Sequence, residues 1–99
     1  MTLSEIEKMV GEVISQNPEL KKMIKTVSVF GSHARGTATE KSDIDLLVEF
    51  SETPDLIQFI SYKHLFENFS KRKIDFLTAE MLSKYFRDEV ISSSKKIYG

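Results

Sequence analysis

Two β-branched runs set the frame of this chain. The first, Val27 to Phe30, stops abruptly at Gly31-Ser32; the second, Ile44 to Phe50, is entered through aspartates at alternate positions, Asp43 and Asp45. Successive side chains of a strand point to opposite faces, so Asp43 and Asp45 share one face while Ile44, Leu46 and Val48 take the other. Aspartate is depleted in strands, and neighbouring like charges raise each other's cost of ionisation unless something positive lies between them. A divalent cation is the simplest such partner. Oxygen ligands with no histidine or cysteine beside them favour Mg²⁺ or Mn²⁺ over zinc, and Mg²⁺ is commonly held by a few carboxylates together with substrate phosphates. Gly31-Ser32 supplies a matching half-site: glycine lets backbone approach a ligand closely, and N–H groups opening a helical turn bind anions, with the Ser32 hydroxyl as a further donor. If Ser32 and Asp43 serve one ligand, the two strands must run antiparallel through the loop between them.

Gly31-Ser32, ten intervening residues and Asp43-Ile44-Asp45 resemble the signature of the DNA polymerase β-type nucleotidyltransferase superfamily. The fuller text GSHARGTATEKSDIDLLVEF is similar to its minimal nucleotidyltransferase (MNT) branch, which includes the MntA-like antitoxins. Arg35-Gly36, Ser42, the stretch Lys73 to Leu77 and the ending Lys96-Ile97-Tyr98-Gly99 extend the likeness over nearly the whole chain. The resemblance implies a polymerase β-like fold, a nucleoside triphosphate donor with ATP foremost, two Mg²⁺ ions for which Mn²⁺ is an alternative, and transfer of a nucleoside monophosphate with release of pyrophosphate. It implies Asp43, Asp45 and Asp75 as catalytic and metal-ligating residues, Asp75 also as general base, and Gly31, Ser32 and Arg35 as nucleotide-binding residues. It further implies a HEPN-domain toxin as partner, with this chain as antitoxin adding AMP to a tyrosine of the toxin. The alternatives are a nucleotidyltransferase with a small-molecule acceptor and a non-catalytic antitoxin that acts by binding alone. One departure is His33, where arginine is common in this branch, so a phosphate contact from that position lacks support.

Ninety-nine residues make one domain, 1–99, small for an enzyme that must hold both donor and acceptor. A further surface, from a partner or a second copy in a homo-oligomer, is therefore expected. With 14 basic against 15 acidic residues the chain lacks the positive balance of a nonspecific nucleic-acid binder, and nucleic acid is disfavoured as the main ligand. No cysteine is present, which excludes disulfides and thiolate metal sites. No long apolar segment or leader pattern opens the chain, and the expectation is a soluble cytoplasmic protein with no membrane association.

In chain order, Ser4 and Glu7 suggest a capping box for a helix with Ile6, Met9, Val10, Val13 and Ile14 on one buried stripe. Its polar face mixes Glu5, Glu7, Lys8 and Glu12, which favours core packing over a lipid surface. Asn17-Pro18 predicts a short helix to Met23 with Asn17 as its cap. Strands follow at about Thr26 to Phe30 and Ile44 to Phe50. Thr53-Pro54 marks a helix start, and that helix runs to about Phe69; its apolar residues cover so much of its circumference that it reads as sandwiched in the core. A strand at about Lys73 to Leu77 precedes a last helix from Thr78 or Ala79 with Met81, Leu82, Tyr85, Phe86 and Val90 inward, then a short basic and apolar tail. The expected class is α+β, a small mixed sheet flanked by helices.

Asp75 alternates with Ile74 and Phe76 and joins Asp43 and Asp45 if its strand lies beside theirs. An EF-hand is excluded because Leu46, Leu47 and Val48 stand where oxygen ligands and a turn glycine are needed. A Walker loop fails too: Gly31 and Gly36 have its spacing, but Thr37 and Ala38 replace the lysine and hydroxyl residue. His33 reads as a surface residue and His64 as a helix residue; they form no metal spacing. Lys71-Arg72-Lys73 reads as a solvated turn, and Tyr62, Tyr85 and Tyr98 as packing residues.

Overall fold

A computed structural model describes residues 1–99. Helix α1, Leu3–Gln16, buries Ile6, Met9, Val10, Val13 and Ile14, the stripe its spacing predicts. Its capping box differs from the expected one. Glu5 N–H donates to Thr2 Oγ1 at 3.1 Å and Thr2 N–H donates to Glu5 Oε1 at 2.9 Å, so Thr2 rather than Ser4 closes the helix start. Helix α2, Pro18–Met23, begins at the proline, but Asn17 gives it no side-chain cap; its Nδ2 donates instead to Val13 O at 2.7 Å and closes the end of α1.

Strand β1, Ile24–Phe30, starts two residues before the expected limit, and helix α3, Gly31–Arg35, is one short turn. Strand β2, Ile44–Phe50, has the expected bounds and pairs antiparallel with β1. Helix α4, Leu56–Ser70, starts after rather than at Thr53-Pro54, because Asp55 accepts from Gln58 N–H at 2.8 Å while the Gln58 side chain accepts from Asp55 N–H at 3.0 Å. Strand β3, Ile74–Leu77, lies parallel to β2. Parallel neighbours need a crossover, and α4 is that crossover. A 3₁₀ turn, Ala79–Met81, and helix α5, Lys84–Ser93, then lead to β4, Lys95–Tyr98, which pairs antiparallel with β1; the expected tail is therefore an edge strand. The sheet order is β3-β2-β1-β4.

One sheet face, with Val27, Val29, Ile44, Leu46, Val48, Ile74 and Phe76, forms the core with α1, Leu20 of α2, and Tyr62 and Phe66 of α4. Fully burying such side chains contributes about 1.5–3 kcal/mol each, which makes this single layer the main source of stability. The opposite face carries Thr26, Ser28, Asp45, Leu47, Glu49 and Asp75 and stays partly open.

That asymmetry corrects three expectations. α4 is not sandwiched: it packs through Tyr62 and Phe66, while Leu56, Ile57, Ile60 and Phe69 are exposed, because the sheet meets only one side of it. The last helix splits into the 3₁₀ turn and α5, and Met81, Tyr85 and Phe86 face outward, since the polar sheet face offers few apolar partners. Tyr85 is thus no packing residue, whereas Tyr62 is buried against Phe50 and donates to Glu19 Oε1 at 3.0 Å. No helix is long and apolar enough to cross a membrane.

Candidate active site

Strand register assembles the site. Asp45 of β2 lies opposite Phe30, the last residue of β1, and opposite Asp75 of β3. Glycine-serine turn, central carboxylate and third carboxylate therefore share one row across the sheet, with neighbouring strands about 4.8 Å apart. Gly31 is needed there twice over. Its φ of +69° lies in the left-handed region, and a Cβ at this position would run into the Asp45 carboxylate. The turn thus folds directly onto the aspartate.

α3 ends at Gly36, whose φ is +77° and whose N–H, like that of Thr37 at 3.0 Å, donates to Ser32 O. Arg35 is exposed at the end of the turn. Asp43 sits just before β2, also exposed, with Lys73 Nζ 3.8 Å from its Oδ2; both side chains are largely solvated, so this pair contributes little. Ser42 Oγ accepts from Thr39 N–H at 2.9 Å and orders the loop leading to Asp43.

Electrostatics single out Asp45. Desolvation, then the carboxylates of Asp75 and Asp43 and a hydrogen bond shared with Asp75, push its pKa up to about 6, opposed by the positive charge of Arg35. Like carboxylates crowded in a partly dehydrated site resist joint ionisation in this way. No three acidic or histidine side chains close into a ready ligand cage. Mg²⁺ requires none, since it is held by one or two carboxylates completed by water and substrate phosphate. Asp45 and Asp75 on adjacent strands, with Asp43 at the loop end, are hard oxygen donors whose mutual repulsion a divalent ion would relieve.

His33 is not a surface residue. It is 5% exposed, beside Ala34 and beneath the start of α1, and neither ring nitrogen has a hydrogen-bond partner in the chain. Burial lowers its pKa, with the chain's amino terminus and Arg72 adding to the effect and the Asp43 backbone opposing it. His64 lies on α4, the helix position expected of it, and is exposed. The basic run was only in part a solvated turn: Lys71 takes a left-handed conformation (φ 58°) that ends α4, and Arg72 donates through Nη2 to Glu40 O. Arg72 thereby ties the β1–β2 loop, three residues before Asp43, to the start of β3. Sequence gave no signal for that tether, because donor and acceptor belong to separate loops.

The site thus combines a left-handed glycine folded onto a strand carboxylate with a second carboxylate in register beside it. The family model for polymerase beta, nucleotidyltransferase, matches residues 12–99. The chain belongs to the polymerase β nucleotidyltransferase family. Within it, the chain is similar to a Methanocaldococcus jannaschii protein assigned as a protein adenylyltransferase, at 42% identity over 78% of this chain and 88% of that protein. A solved structure described as a minimal nucleotidyltransferase matches with a TM-score of 0.77 at 31% identity, over 95% of this chain and 94% of that one. A toxin-antitoxin crystal structure with AMP-PNP shares the fold, with a TM-score of 0.76 at 22% identity over 94% of this chain and 73% of that one.

Proposed function

We propose that this chain, as a single minimal nucleotidyltransferase domain, transfers AMP from ATP to a hydroxyl of a protein acceptor, a HEPN-type toxin, and serves as its antitoxin. The observation that carries the reading is the row Gly31–Asp45–Asp75, in which the turn and both carboxylates lie side by side across the sheet. The relatives named as protein adenylyltransferases support a protein acceptor, and the toxin-antitoxin fold neighbour supports the kind of partner.

In this reading the backbone N–H groups and hydroxyl at Gly31-Ser32 bind the triphosphate, and Arg35 extends its planar donor fork to it. Asp43, Asp45 and Asp75 would hold Mg²⁺, with Mn²⁺ as a substitute; the bound ions would neutralise the phosphates and lower the pKa of the acceptor hydroxyl. Asp75, solvent-facing on the edge strand, takes the proton from that hydroxyl. The hydroxyl oxygen bonds to the α-phosphorus, the bond to the bridging oxygen of the β-phosphate breaks, and pyrophosphate leaves with the electron pair.

The test incubates the chain and a co-expressed candidate toxin with Mg²⁺ and α-³²P-labelled ATP. Label on the toxin, lost with Asp45→Asn or Asp75→Asn, is the expected result. A toxin that is bound and inhibited without label would replace this reading with one of inhibition by binding.

A further inference from the structure

The open sheet face continues past the carboxylates into a cavity of about 530 Å³. Its floor is Leu47, two residues beyond Asp45 and on the same face, paired with Ser28 of β1. Beyond it lie Thr26 and Glu49, also paired across the strands, and the wall on the β3 side is Thr78 and Glu80. Both carboxylates face the cavity without a cation. Thr26 Oγ1 donates to Glu49 Oε1 at 3.2 Å, which orients that side chain but leaves its charge, and the one ion pair of the chain, Lys73 with Asp43, is elsewhere.

We infer that this cavity is an acceptor-recognition subsite for a cationic side chain, a lysine or arginine of the acceptor polypeptide, with Glu49 and Glu80 as its counter-charges. The inference rests on the transfer reading above and adds which acceptors are preferred. The lining mixes Leu47, Phe50 and Ile91 with hydroxyl residues. Its two unpaired carboxylates repel the anionic part of a nucleotide and match an ammonium or guanidinium group with several donors, whose methylene stem the apolar residues would cover. Glu49 lies four strand residues from Asp45, about 14 Å along β2. An extended acceptor with its reacting hydroxyl at Asp75 therefore presents a basic residue to the cavity two to four positions away, the shorter spacing being made up by the length of the side chain.

Two blocked hexapeptides test this: one with tyrosine followed by lysine at the second and fourth positions after it, the other with norleucine in both places. Titrated into the ¹⁵N-labelled full chain, the lysine peptide moves the backbone amides of Glu49 and Glu80 and binds about threefold more tightly than the norleucine peptide, the worth of solvated charge pairs at two exposed glutamates. With both peptides in one tube with Mg²⁺ and α-³²P-labelled ATP, label favours the lysine peptide by about the same ratio. In Glu49→Gln, Glu80→Gln both ratios fall to about one. Equal binding of the two peptides by the unmodified chain overturns the inference without reference to any variant, as does discrimination that survives the double substitution. Spermine shifting these amides while the lysine peptide does not overturns the peptide assignment in favour of a small polyamine. The binding arm needs no turnover: an absence of all label with lysine selectivity intact counts against the transfer reading alone.

Discussion

A methyl group at position 31 would occupy the space of the Asp45 carboxylate on a backbone that already has φ at +69°. Gly31→Ala should therefore destabilise the fold by about 1–2 kcal/mol and displace Asp45, with labelling of the acceptor falling at least tenfold. Urea unfolding monitored by circular dichroism, beside the labelling assay, checks both. Asp45 makes a second prediction. Its folded pKa, about 6, lies above the ordinary 3.8, so between these values the folded chain holds a proton that the unfolded chain has released. Without divalent ions, stability from this group falls as pH rises through that window, and at pH 7 Asp45→Asn should be more stable than the unmodified chain by about 1 kcal/mol, allowing for partial solvent screening. Melting curves from pH 4 to 7 would show the window flatten in the variant; a parallel loss of stability would refute the assignment of strain to this carboxylate. At this scale the sequence was readable where residue type and strand alternation coincide: Gly31, Asp45 and Asp75 share one row of the sheet, with Asp43 at the loop end beside it. It was not readable at His33, since a single turn of helix is too short for its periodicity to tell inside from outside, nor at Glu49 and Glu80, which become neighbours of one cavity only once β3 lies beside β2.

Elements follow their caps and their single apolar face. α4 owes its start to the reciprocal Asp55–Gln58 bonds, and as the crossover it holds β3 against β2. Asp55→Ala should cost about 1 kcal/mol, while Phe66→Ala, emptying a fully buried site, should cost about 3–5 kcal/mol. Tyr85→Ser, at a position 81% exposed, should stay within about 0.5 kcal/mol of the unmodified chain. Chemical denaturation of the three variants ranks them. β1, β2, β3 and α1 were legible because one side of each meets a core and the residue pattern records it, whereas β4, expected only as a tail, has four residues with no alternation among them. α5 misled because its apolar residues have a helical spacing but no apolar surface to meet, and pattern alone does not say whether a stripe has a partner. The 3₁₀ turn before it falls where Thr78 and Ser83 compete to cap, a contest the sequence leaves undecided.

For the molecule as a whole, one sheet divides labour between its faces: one makes the core, the other carries the carboxylates and the acidic cavity. A ligand that binds only the folded chain stabilises it by mass action, so Mg²⁺ at ten times its Kd should add about 1.4 kcal/mol at pH 7.5. Asp45→Asn should lose most of that gain, and thermal melts with and without the ion measure it; an equal gain in both proteins would mean binding elsewhere. The separation of Asp45 and Asp75 is set by the β2–β3 ladder, not by the fifteen-residue helix between them. The reactive geometry is thus indifferent to the length of its own connection. Lengthening the Ser51–Pro54 segment, or replacing the outward side of α4, alters the chain's outline while leaving the carboxylate spacing untouched, so this small scaffold can change what it touches without retuning what it does.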